Sequence, residues 1–150
     1  MTMQDQIKKA FADIDAKTMA DTLAWAEGRK EALTAYIKSD EEYCSYHAAM
    51  NICGSQKWYN VINHRPLEDI KTMTAKIVED NIAKRNARIE KALTKKGITE
   101  IPEFAIVFRS NGFEGSFKVG NYFVEITTIV AEGWIQSRHT RTLVKVREAA

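Results

Sequence analysis

The sequence predicts an α+β protein in which helices come first and an antiparallel β-meander comes last. Apolar residues recur at helical spacing through most of residues 1–96. After Ile101-Pro102 the composition turns β-branched and aromatic. In that later part, turn signals recur at Asn111-Gly112, Gly120-Asn121 and Glu132-Gly133. Together they give about four N-terminal helices, including a long or broken helix over 66–96, and about four strands.

Ile7, Ala10, Phe11 and Ile14 follow the i, i+3, i+4, i+7 pattern of a first amphipathic helix. A second is predicted from about Lys17 to Lys38, with Met19, Leu23, Ala26, Leu33 and Ile37 as its stripe and Gly28 as a point where it bends. Ser39-Asp40-Glu41-Glu42 has the form of a capping box and starts a third helix that runs to about Cys53, with Gly54 as its C-cap. Lys57–Ile62 is apolar and aromatic and fits either a strand or a helical turn.

Pro66 suits the first turn of a further helix, which Lys95-Lys96-Gly97 ends. At about 100° per residue, Ile70, Met73 and Ile77 share one face, while Val78, Ile82, Ile89 and Leu93 share roughly the opposite one. A single helix there needs partners on two sides and bridges two layers or two subunits. A break near Glu79-Asp80-Asn81 gives a compact bundle instead. With no Gly or Pro to enforce a break, the single helix is preferred.

Phe104–Phe108 reads as a buried strand, followed by strands over about Phe113–Val119, Tyr122–Ala131 and Thr140–Arg147. A sheet of this size needs a helix layer on its apolar face. The chain therefore reads as a single domain over 1–150, with a boundary near 98–102 between a helical subdomain, 1–97, and the meander, 98–150.

Composition excludes several classes. With 45% hydrophobic and 28% charged residues the chain is globular rather than disordered, and a net charge of +2 names no partner by itself. No segment approaches the roughly 20 apolar residues of a membrane span. Two cysteines and an opening stretch without an apolar run place the protein in the cytoplasm, with no membrane partner. No Walker A, G-x-G-x-x-G, G-x-S-x-G or H-E-x-x-H motif occurs.

Residues 44–64 hold both cysteines and two of the three histidines. Cys44, His47, Cys53 and His64 are zinc-type ligands, but their spacing, C-x2-H-x5-C-x10-H, fits no standard finger. Nine residues apart on one helix, Cys44 and Cys53 point about 180° apart. The better account is a packed helix side made of Tyr43, Tyr46, Met50 and Cys53, with His47 at its margin and no metal or other cofactor.

Local basic clustering is the stronger functional signal. Residues 84–96 contain six cations against one acid, Glu90, and Lys84, Arg88, Lys91 and Lys95 share a face opposite the apolar stripe. Arg138, Arg141, Lys145 and Arg147 add a second stripe, with no acid from Trp134 to Arg147. If helix and strand are neighbours, the two stripes form one positive groove suited to phosphates. The competing explanations are a helix C-terminus dressed with cations and an edge strand protected by them. Trp134, beside a turn, is the candidate partner anchor, and Phe104, Phe108, Phe113, Phe117, Tyr122 and Phe123 offer either core or a stacking platform.

The function expected from these features is non-enzymatic binding by a homo-oligomer assembled through its helices. Its partner would be anionic: nucleic acid, a nucleotide or an acidic protein surface. An inhibitor of another macromolecule would have this appearance. Two alternatives stand beside it: a small hydrolase or nuclease using His47, His64 or His139, and a scaffold that assembles through its long helix.

Overall fold

The computed structural model describes residues 1–39, 45–109, 112–130 and 140–149. Helices α1 (Met3–Ser39), α2 (Tyr46–Cys53), α3 (Gln56–His64) and α4 (Leu67–Thr94) precede strands β1 (Val107–Arg109), β2 (Gly112–Val119), β3 (Tyr122–Val130) and β4 (Thr140–Glu148). The strands form one antiparallel sheet in the order β1-β2-β3-β4, so the α+β meander architecture holds. Two compact units divide the chain, one made of residues 1–16 and 80–150, the other of 17–79. The composition change after Ile101-Pro102 thus lies inside the first unit, where the sheet buries its apolar face against helix residues.

Helix α1 is continuous where the sequence suggested two helices and a bend at Gly28. Its buried positions are Met3, Ile7 and Phe11 in the first unit and Thr22, Ala26 and Leu33 in the second. A reciprocal cap starts it: the Asp5 amide donates to Thr2 Oγ1 at 3.1 Å and the Thr2 amide to Asp5 Oδ2 at 3.0 Å. Hydrogen bonding of the Asp5 carboxyl by the Thr2 backbone, and then by its side chain, holds that carboxyl below its usual range.

In the second unit, α2 begins at Tyr46 rather than after Ser39. Ser39 is the last residue of α1, and its hydroxyl donates to the Tyr36 carbonyl. Ser45 is the N-cap of α2 instead, its Oγ accepting from the Ala48 amide at 3.4 Å, and residues 40–42 of the suggested capping box lie outside the described residues. Gly54 closes α2 with φ 94°, as expected. Ser55 then caps α3 through the Trp58 amide, which resolves 57–62 as helix. Arg29 and Lys30 of α1 donate to the carbonyls of Ile52 and Ile62, at 3.0 and 2.7 Å, and so satisfy the last turns of α2 and α3. Buried in this unit are Leu33, Cys53, Trp58, Ile62, Ile70 and Val78, and Trp25 lies edge-on to Trp58 at 5.2 Å.

Helix α4 is single and serves both units. Its buried seam runs Ile70, Thr74, Val78, Asn86, Ile89, Leu93 and moves around the helix by roughly 140° from Ile70 to Leu93. The apparent jump came from passing over Thr74 and Asn86, which are polar and fully or almost fully buried. Gly97, at φ 78°, ends α4 in a Schellman turn: the Gly97 amide donates to Thr94 O and the Ile98 amide to Leu93 O. Ile98 and Leu93 then pack in the same core cluster.

In the first unit the sheet's inner face carries Phe117, Val124 and Ile126, buried with Ile7, Phe11, Ile89 and Leu93. Tyr122, Val144 and Val146 complete it as half-buried neighbours. Phe104 is buried and lies 4.8 Å from Phe117, but it precedes β1 rather than belonging to it. All three residues of β1 are exposed, and Phe108, 67% exposed, has its ring edge-on to Phe113; the buried strand expected at 104–108 is therefore an approach segment followed by a short edge. Register pairs Arg109 with Gly112, so the β1–β2 connection is residues 110–111, outside the described residues, and Gly112 already belongs to β2.

Gly115 lets that approach segment cross the sheet. A Cβ there would meet the Ala105 carbonyl oxygen at 2.6 Å and Ile106 Cδ1 at 2.7 Å. Gly115→Ala is expected to cost about 1–3 kcal/mol in urea unfolding, because a backbone carbonyl must move. A loss below about 0.5 kcal/mol would show that residues 104–106 do not press on the sheet as described.

Candidate anion-binding surface

The cysteine–histidine stretch does not converge. Cys53 is fully buried, whereas His47 on α2 and His64 in the last turn of α3 are exposed, and Cys44 lies outside the described residues. Among the described residues no three His, Cys, Asp or Glu side chains gather as metal ligands. The helix side expected from Tyr43, Tyr46, Met50 and Cys53 is corrected in detail. Ala49 and Cys53 are buried, Met50 is half-buried, and Tyr46 is exposed with its ring edge-on to Tyr59 at 5.1 Å. Tyr43 is outside the described residues.

Burial pushes the Cys53 thiol up, outweighing the opposing pull of Arg29 and Lys30. Iodoacetamide is therefore expected to label Cys53 in the folded Cys44→Ser variant at least about 100-fold more slowly than in urea. Equal rates in the two conditions would contradict this burial.

The cations between Lys84 and Lys95, at the end of α4 and just beyond it, behave in two ways. Arg85 turns inward: its guanidinium grips Asp15 in a two-pronged pair at 2.7 and 2.8 Å, donates to Asn86 Oδ1, and lies 3.7 Å from the centre of the Phe11 ring. Lys84, Arg88, Lys91 and Lys95 all point to solvent on the side away from Asn86, Ile89 and Leu93. None of these four makes an ion pair with another described residue. Glu90, the one acid of the segment, is occupied by the Gln4 side-chain amide.

The second stripe is on the other side of the unit. In β4 the even-numbered residues Thr142, Val144 and Val146 face the helix layer, so Arg141, Leu143, Lys145 and Arg147 face outward. Since α4 covers the inner face with its apolar seam, its cations and those of β4 lie on opposite outer surfaces. One groove formed by both stripes is not present among the described residues. Arg147 is further engaged, 3.4 Å from Glu125 and 4.9 Å from the Phe123 ring centre. Arg138, Trp134 and His139 lie outside the described residues, so the anchor expected at Trp134 has no described position.

A cleft of about 580 Å³ opens between the Gly97 turn and the β2–β3 turn, lined by Glu100, Asn121, Tyr122 and Glu148 among others. It offers two carboxylates and no cation, which is the wrong sign for a nucleotide. No helix among the described residues is long and apolar enough to cross a membrane.

Lys84, Arg88, Lys91 and Lys95 thus share one exposed face, as their helical spacing predicted. Spacing already set Arg85 off that face, but its engagement with Asp15, 70 residues away, was beyond the reach of spacing. Comparison with models of known protein families, with curated proteins and with solved structures gave no match to this chain.

Proposed function

We propose that this chain is a non-enzymatic binding protein that captures an anionic macromolecule on the outer face of α4. The observation that carries the reading is the ladder of Lys84, Arg88, Lys91 and Lys95, exposed and without ion-pair partners among the described residues. Structural cations tend to be engaged, as Arg85 is by Asp15. The ladder spans about 16 Å, roughly one charge every 5–6 Å along the helix. That spacing suits a polyanion, nucleic acid above all or an acidic protein surface, rather than a single small anion. Assembly of several copies would multiply the ladder and raise avidity without new contacts. Capture of this kind is also how a small protein blocks another macromolecule's anionic partner.

The hydrolase alternative gains no support from the site. His47 and His64 stand on different helices, and neither has a hydrogen bond or ion pair with another described residue to orient it as a base. The test is a titration of the protein with a labelled 12-nucleotide single strand and with polyglutamate at low salt. Saturable binding to either is expected; no affinity for both would leave the scaffold reading in its place.

A further inference from the structure

The open edge of β4 has a chemistry of its own, independent of α4. Among the described residues strand β4 pairs only with β3 and is the last strand of the sheet. The Ala149 amide donates to the Asn121 carbonyl at 2.7 Å, and these two residues continue the β3–β4 register, in which Tyr122 faces Glu148. Residues 121 and 149 are therefore a hydrogen-bonded pair. Pairs alternate along an antiparallel ladder, so the backbone groups of Arg141, Leu143, Lys145 and Arg147 point to β3. Those of Thr142, Val144 and Val146 point away from it, to the open edge, and among the described residues no backbone group meets them.

The two alternations are locked together. Residues whose N–H and C=O groups point to the open edge have side chains on the helix side, where Val144 and Val146 are only half-buried. Residues between them present Arg141 and Lys145 on the outer face, exposed and without an ion pair among the described residues. An added strand places side chains opposite these on the same two faces. Apolar side chains there would finish the cover over Val144 and Val146, and carboxylates would meet Arg141 and Lys145.

We propose that the β4 edge is a docking site for an extended segment of a partner protein in which acidic and apolar residues alternate, bound by strand addition. A second copy of β4 is a poor occupant. Antiparallel self-pairing centred on Val144 sets Arg141 against Arg147, and pairing centred on Leu143 sets Arg141 against Lys145. The same cations that guard the edge against its own kind select an acidic strand.

The test uses the whole protein and a blocked eight-residue peptide of alternating valine and glutamate, with an alternating valine–lysine peptide as control. Amide exchange at Thr142, Val144 and Val146 is expected to slow at least about tenfold with the glutamate peptide and to be unchanged by the lysine peptide. Arg141→Glu/Lys145→Glu should reverse the preference between the two peptides. A glutamate peptide N-methylated at alternate positions, added to the unaltered protein, should fail to protect the edge. Unchanged exchange with the glutamate peptide would overturn the proposal, as would equal protection by the N-methylated one. Edge protection that rises with protein concentration in the absence of peptide would overturn it in favour of self-pairing. Glutamate-peptide protection should persist in a Lys84→Glu/Arg88→Glu/Lys91→Glu variant, so failure at the β4 edge and failure at α4 are read separately.

Discussion

Arg85→Ala is expected to destabilise the protein by about 3 kcal/mol, the largest loss from any one charged residue of α4. Arg85 and Asp15 are only 10% and 18% exposed, and the guanidinium packs over Phe11 while holding both carboxylate oxygens. Removing Arg85 strands a carboxylate beside an aromatic ring and leaves Asn86 Oδ1, on an almost fully buried residue, without its donor. Asp15→Asn should cost nearly as much, because it leaves the guanidinium uncompensated. The paired replacement Arg85→Met/Asp15→Leu should recover most of the loss, since an apolar pair of similar volume avoids the desolvation of both charges. Urea unfolding of the two single variants and the paired one measures this. Additive losses in the paired variant would show that the two side chains act separately.

Charge reversal on the other face of the same helix is expected to do the opposite. Lys84→Glu/Arg88→Glu/Lys91→Glu should weaken polyanion binding at least about 100-fold at low salt, because each lost contact forfeits counterion release and each new carboxylate repels phosphate. Stability should fall by less than about 1.5 kcal/mol, mostly from placing an acid at Lys91 in the last turn of the helix. Binding should fall while the urea midpoint holds nearly constant. In Arg85→Ala, by contrast, stability falls while the affinity of the folded protein is kept. A triple-reversal variant that still binds would remove α4 as the site.

Local chemistry was the legible part of this fold. Gly54 and Gly97 announced helix ends, Gly120-Asn121 a hairpin, and the β-branched run after residue 121 a strand, because each depends on a few neighbouring residues. The less legible features depend on distant partners. Thr74 and Asn86 complete the α4 seam although they are polar, so the stripe seemed to change side. Phe108 looked like core from its neighbours, yet no helix residue covers it in the core cluster. The period of two in β4 predicted that alternate residues share a face, but not which alternation the helices cover. That single unknown separates one positive groove from two cationic surfaces facing apart. Similarly, spacing set Arg85 off the face of the four cations, but its pairing with Asp15 depends on a residue 70 positions away.

The most direct test of polyanion capture by α4 is the salt dependence of binding to a labelled 12-nucleotide single strand. With four cations on phosphates, the logarithm of the association constant should fall with the logarithm of salt concentration with a slope of about −3. The Lys84→Glu/Arg88→Glu/Lys91→Glu variant should flatten that slope to −1 or less in magnitude. Binding that does not respond to salt, or a slope unchanged by the triple reversal, would contradict the account.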